Sequence, residues 1–204
     1  VPASTPNWQT GCRAALPPPS SASRLPTCSG TPLLLTPRLR SHSIGERNVI
    51  NYQDLFHVGI RVPDLISAMD ELGSSMGVTW AAPRDNPAQT LWSPKHGVQE
   101  VHLKFTYSAE GPQHIELLEG PPDTFWDGRG CTGAHHVGVW ADDVTAEAEI
   151  LIASGWSLLG AQKSPADGGG YGVFAYLQPP TGLIVELVDR AVLPHFEQWW
   201  AGNA

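Results

Sequence analysis

Cysteine is scarce: Cys12, Cys28 and Cys131 are the only three in 204 residues, and no two form a C-x-x-C pair. That spacing offers neither a disulfide framework nor a thiolate zinc site, so a reducing cytoplasm is the expected setting. No run reaches the roughly 18 apolar residues of a bilayer span, and a membrane is not expected as a partner. Basic charge is missing where nucleic acid would need it. The formal net charge is −8; residues 1–50 carry five arginines against one acid, Glu46, which leaves −12 for the remainder. An acidic body has no patch for backbone phosphates. With 41% apolar and 16% charged residues the chain can bury a core, and the partner it suits is a small molecule.

Residues 1–50 also lack hydrophobic periodicity. They hold eight prolines and seven serines, with the run Pro17-Pro18-Pro19-Ser20-Ser21. Such a composition cannot offset chain entropy by burial, so this segment is expected to be disordered or loosely attached. Its Arg- and Ser-rich, acid-poor character matches a transit peptide. An upstream extension from an alternative start accounts for it more simply, and is the reading adopted.

From about residue 54 a pattern appears twice. Phe56-His57-Val58-Gly59-Ile60-Arg61 opens the first copy and His135-His136-Val137-Gly138-Val139-Trp140 the second. Each is an alternating strand followed by an Asp suited to cap a helix. The helices follow through Leu65, Ala68, Met69, Leu72 and Met76, and through Val144, Ala148, Leu151 and Ile152. Each copy closes on a matching strand, around Ile115-Glu116-Leu117 and Val185-Glu186-Leu187. The expected fold is α+β: two tandem β-α-β-β-β modules, about 54–120 and 133–190, in a cupped, U-shaped mixed sheet with helices outside. A domain over 51–190 would then carry a C-terminal helix within 191–204, spanning Leu193 to Trp200.

Strand alternation sorts these residues by face. Phe56, Val58 and Ile60 should lie under the helix, leaving His57, Gly59 and Arg61 toward the cup. His114, Glu116 and Leu118 face the cup, as do His136, Gly138, Ile184, Glu186 and Val188. Val101, Leu103 and Phe105 are expected under the helix, with Glu100, His102 and Lys104 in the cup. His135 should point away. A buried carboxylate needs a partner. A single His or Glu in a strand is more often structural, but here both recur at matching phase and face. His57, Glu116, His136 and Glu186 therefore read as ligands of one divalent ion. Imidazole and carboxylate donors suit Zn, Mn, Co, Ni or Fe.

His57-Val58-Gly59-Ile60 before Val62-Pro63-Asp64-Leu65, His136-Val137-Gly138-Val139 before Asp142-Asp143-Val144, and the closing runs Ile115-Glu116-Leu117-Leu118-Glu119-Gly120-Pro121 and Ile184-Val185-Glu186-Leu187-Val188-Asp189 together resemble the vicinal-oxygen-chelate superfamily over about residues 54–190. The resemblance is to its glyoxalase-like branch containing methylmalonyl-CoA epimerase. It implies paired modules around one metal, with the same four ligands. Met69-Asp70-Glu71-Leu72-Gly73 stands where glyoxalase I carries Phe-Tyr-x-x-x-Leu-Gly. The activity implied is isomerase, epimerase or lyase chemistry by proton transfer beside a carbonyl, on a small oxygenated acid or thioester. Glu186 or Glu116 would be the base, with His114 and Lys104 as proton carriers. Two alternatives are a sequestering protein that uses Trp92, Trp126 and Trp140 around the cup, and an iron-dependent extradiol-type dioxygenase. A homodimer is expected from the apolar strand edges and aromatic C-terminus, and the metal could sit within one chain or between two.

Overall fold

The computed structural model describes residues 49–203. The expectation for residues 1–50 therefore falls almost wholly outside the described residues. The first module runs β1 (Leu55–Arg61), α1 (Leu65–Met76), β2 (Arg84–Ser93), β3 (Gly97–Tyr107) and β4 (His114–Glu119). The second repeats it as β5 (Gly133–Ala141), α2 (Val144–Ala153), β6 (Ser157–Ala161), β7 (Phe174–Gln178) and β8 (Val185–Asp189). A last helix, α3, spans Leu193–Trp200.

Both long helices start as the sequence specifies. Asp64 and Asp143 adopt extended backbone and accept hydrogen bonds from Ser67 N and Ala146 N, satisfying donors the first helical turn leaves free. Gly77, in the left-handed region, ends α1. Ile60, Ile115 and Leu117 pack under α1 with Leu65, Ala68, Met69 and Leu72. Val139, Val185 and Leu187 pack under α2 with Val144, Ala148 and Leu151. The buried Leu and Val side chains among these, such as Leu65, Leu117, Val185 and Leu187, each contribute about 1.5–3 kcal/mol relative to exposure.

The sheet closes further than a U. Its strands run β1-β4-β3-β2-β6-β7-β8-β5 and back to β1, an eight-stranded barrel. The β1/β4 and β5/β8 pairs are parallel, and β1/β5 joins the modules antiparallel. On the far side β2 and β6 meet at one pair, Trp92↔Ala161. Closure gives β3 a different polarity from the one expected. Val101 and Leu103 are buried inside with Leu91, Leu118, Trp126 and Tyr176, and Phe105 packs against them. The reason is coverage: α1 packs on the β1/β4 side, so the apolar face of β3 has only the barrel interior in which to bury.

The β1/β5 seam departs from strict alternation at two bulges. Leu55 pairs with Val139 and His57 with Gly138, so Phe56 is an extra residue; Gly59 pairs with His136 and Ile60 with Ala134, so His135 is another. Both bulges immediately precede the candidate ligand histidines. Phe56, freed from the helix face, stacks on Trp140 at 3.7 Å between centroids and joins a cluster with Trp199 and Phe196 of α3. Among the described residues no helix is long and apolar enough to cross a membrane.

Between the bulges, Val58↔Val137 is the centre of a local two-fold relation, flanked by His57↔Gly138 and Gly59↔His136. Each imidazole lies over the other strand's glycine. A Cβ on Gly138 would stand 1.8 Å from His57 Cε1, and one on Gly59 would stand 2.0 Å from His136 Cε1. Gly138→Ala is therefore expected to cost about 1–3 kcal/mol in urea unfolding by overpacking, and to displace His57. Unchanged stability and metal content in that variant would contradict this packing.

Candidate metal centre

The same register that fits ring over glycine also brings in the carboxylates. Gly59 pairs on its other side with Glu116, and Gly138 with Glu186. Beyond these, Glu116 pairs with Tyr107 and Glu186 with Tyr176. Two rungs thus cross the barrel wall, Tyr107–Glu116–Gly59–His136 and Tyr176–Glu186–Gly138–His57. In each, the glycine leaves the space that the opposing imidazole enters.

The four expected ligands converge within one chain. His57 Nε2 and His136 Nε2 are 2.8 Å apart. Glu186 Oε2 is 3.2 Å from both, and Glu116 Oε2 is 3.5 and 3.2 Å from them. All four donor atoms lie within 4.8 Å of one another and all four residues are buried. Donors bound at about 2.0–2.2 Å around one ion stand about 2.8–3.6 Å apart for tetrahedral or octahedral angles. The cluster has that spacing. It also has a polar atom that protein groups do not satisfy, for Glu116 Oε2 is buried without a hydrogen bond of proper geometry. Both observations fit a divalent cation among two carboxylates and two imidazoles.

Electrostatics report the same demand for positive charge. Burial alone would lower the pKa of His136, but Glu186 and Glu116 reverse this and raise it to about 9. Burial would raise Glu186, yet His136 and His57 hold it below the usual carboxylate range. A proton on His136 thus offsets the charge of the two buried carboxylates.

Three residues not assigned to the site by sequence reading belong to it. Tyr107 and Tyr176 are fully enclosed, and burial followed by the two glutamates pushes both phenols well above their ordinary pKa. Each meets a ligand histidine edge to face, Tyr107 with His57 at 5.3 Å and Tyr176 with His136 at 5.2 Å. Their signal in the sequence was present: one tyrosine two strands after each histidine, nine or ten positions before each glutamate. The third is His135, expected to point away. The bulge turns it inward against Phe125 and Tyr176, and its Nδ1 lies 3.0 Å from His136 Nδ1. Burial and neighbouring His136 keep it neutral, well below its ordinary pKa. At the equivalent bulge stands Phe56, which cannot hydrogen-bond, and His57 Nδ1 has no partner among the described residues. A ligand imidazole whose other nitrogen is held keeps its tautomer and orientation.

Other expected residues are placed differently. Lys104 lies outside the barrel, 41% exposed and 3.6 Å from Glu119 Oε1. His102 is also outside, 2.5 Å from Asp85 Oδ1. Both follow from the inward apolar face of β3. His114 does share the inner face with Glu116, but its Nδ1 donates to Ser108 O at 2.6 Å and Trp200 stacks on its ring at 3.7 Å. It does not line the cavity that reaches Glu116 and Glu186. That cavity, about 210 Å³, has walls from Leu103, Phe105, Tyr107, Trp126, Tyr176 and Phe196. Of the three tryptophans expected around it, Trp126 alone contributes. Trp92 packs toward the α2 core and Trp140 beneath α3.

Residues 56–176 match the family model of the Glyoxalase/Bleomycin resistance protein/Dioxygenase superfamily. The chain belongs to that superfamily. Among curated relatives of this glyoxalase-like chain is an ethylmalonyl-CoA/methylmalonyl-CoA epimerase from Cereibacter sphaeroides. It is 30% identical over 140 residues, covering 65% of this chain and 95% of the relative. Similar solved structures include a hypothetical protein from Bacillus halodurans, at TM-score 0.49 and 22% identity, covering 67% of this chain and 93% of that one. They also include a Streptomyces coelicolor methylmalonyl-CoA epimerase variant in complex with 2-nitronate-propionyl-CoA, at TM-score 0.48 and 21% identity, covering 68% and 94%.

Two outcomes are expected of the glyoxalase-like centre. With His136 raised to about 9 from 6.5, its contribution to the metal-free fold is complete below pH 6.5 and is lost as pH rises to about 9. Chelator-treated protein should accordingly lose stability over that window in urea unfolding, while divalent-metal affinity climbs as the competing proton leaves. A flat pH profile for both would contradict the His136 assignment. Replacing His135 with Phe copies the Phe56 arrangement, and should weaken metal binding about tenfold by calorimetric titration. His135→Gln, which can still accept from His136 Nδ1, should recover most of it.

Proposed function

We propose that the chain is a divalent-metal-dependent epimerase or isomerase that moves a proton at the carbon beside a carbonyl. The observation that carries this reading is the buried His57, Glu116, His136 and Glu186 set, whose two glutamates line a small, largely apolar cavity. An ion held by these four would supply Lewis-acid polarisation of a carbonyl oxygen, which acidifies the adjacent C–H.

The chain's own residues account for the remaining steps. Among the described residues the only carboxylates lining the cavity are Glu116 and Glu186, so the base comes from the ligand set itself. Glu116 suits that task better. Its Oε2 lacks a hydrogen bond and stands furthest from His57, whereas Glu186 Oε2 is 3.2 Å from both imidazoles and is held in its charged form. Glu116 takes the proton from carbon on one face; Glu186, across the cluster, keeps its charge against the histidines. Tyr107 and Tyr176 remain protonated and give the site hydrogen-bond donors on both sides for a developing oxyanion. The apolar walls exclude water from the reacting carbon. His114 and Lys104, expected as proton carriers, do not line the cavity, so the proton that Glu116 takes up is also the one it gives back.

The cavity admits a short acyl group, and a larger carrier would extend beyond its mouth. That matches an acyl thioester of the kind named for the Cereibacter sphaeroides relative, and it supports epimerisation over lyase chemistry. The four ligands lie within one chain, so the centre needs no second subunit to be complete.

The test is solvent deuterium exchange at the carbon beside the carbonyl of methylmalonyl-CoA, followed by NMR. Glu116→Gln should retain metal and lose exchange by about a hundredfold or more, the usual worth of a positioned base. Glu186→Gln should lower metal occupancy as well. Exchange at the wild-type rate in Glu116→Gln would overturn Glu116 as base, and metal-loaded wild type without exchange would overturn the epimerase reading.

A further inference from the structure

Beside the residues that line the cavity stands a cation that no part of the proposed chemistry uses. Arg84, the first residue of β2, pairs with Phe105 of β3, a cavity-lining residue, so the two side chains share the inner face of the sheet. Its guanidinium carbon lies 3.8 Å above the ring of Trp199, which is itself buried and fixed by a bond from Nε1 to Ala82 O. From there Arg84 Nη2 reaches 3.2 Å from Nε2 of His195, a residue of α3 that also lines the cavity. A guanidinium only donates, so His195 Nε2 accepts and the neutral ring carries its proton on Nδ1. The arrangement leaves Arg84 with unused N–H donors and gives His195 one more.

No carboxylate neutralises this pair among the described residues. The acid next in sequence, Asp85, is turned outward to His102. Arg190, by contrast, is matched by Asp54 and Asp142. The partial burial of Arg84 lowers its pKa, against a smaller raising effect of Tyr107. In a body of net charge −12, an arginine stacked in place, without a carboxylate partner among the described residues, and in contact with a residue that lines the cavity has the features of a recognition group. Its planar fork matches an oxyanion.

Resting on the proposed epimerase reading, we infer that Arg84 and His195 form an oxyanion-binding subsite. It holds a carboxylate or phosphate at the end of the substrate remote from the metal cluster. Preferred substrates then carry an anion besides the oxygens that face the four ligands. Arg84 is a specificity residue, and Trp199 positions it.

Calorimetric titration of the full chain, loaded with one divalent metal, tests this with four probes: succinate, butyrate, inorganic phosphate and coenzyme A. Wild type should bind succinate more tightly than butyrate. Arg84→Gln should weaken succinate, or phosphate and coenzyme A, by about tenfold or more while leaving butyrate and metal content unchanged. Loss confined to succinate identifies a substrate carboxylate; loss confined to phosphate and coenzyme A identifies a carrier phosphate. Equal binding of all four probes by wild type and Arg84→Gln overturns the subsite. His195→Gln, which leaves both residues of the Arg84–Trp199 stack in place, should show a smaller loss of the same probes, and keeps the test decisive if Arg84→Gln fails to fold. Failure of the epimerase reading is separable, because phosphate can be titrated into metal-free protein: Arg84-dependent binding there stands even where no exchange activity exists.

Discussion

The β1/β5 seam, where each histidine ring lies over the partner strand's glycine, is the constraint on which the rest of the structure depends. It fixes the distance between modules, since neither glycine position has room for a methyl group. It also fixes register, because a slip by one residue would turn both imidazoles out of the barrel. With β1 and β5 locked, the parallel partners β4 and β8 place Glu116 beside Gly59 and Glu186 beside Gly138. The donor set, the tyrosines behind it and the cavity in front of it all follow from that one packing arrangement.

Much of this was legible in the sequence because duplication repeats a signal. Strand, capped helix and closing strand recur with the same His and Glu, and the structure keeps both modules, both caps and the span of α3. The glycines two residues after each histidine were visible too, although their purpose needed the antiparallel register. What escaped was whatever depends on breaking alternation or on closing the sheet. A bulge shifts one residue without altering composition, so Phe56 and His135 were assigned to the wrong face. The inward face of β3 depends on where α1 does not reach, and no local pattern in residues 97–107 records that. Lys104 and His102 consequently looked like cavity groups and lie outside.

The two modules are alike where they hold the donors and unlike around them. Phe56 and His135 occupy equivalent bulges, yet one is apolar and the other braces its neighbour's imidazole. Glu186 is bound closely by both histidines, while Glu116 is left with an unsatisfied oxygen. The C-terminal helix walls the cavity on one side only, bringing Phe196 and His195 to it. The proposed proton transfer rests on this asymmetry within a symmetric frame, which gives the two carboxylates unequal surroundings.

The most direct test of the central claim is a crystal structure of protein loaded with Zn or Co, with anomalous differences recorded at the metal edge. The account predicts one peak per chain, about 2.0–2.2 Å from His57 Nε2, His136 Nε2 and the nearest oxygens of Glu116 and Glu186. A peak at another location, or none among these four residues at full metal loading, would contradict it.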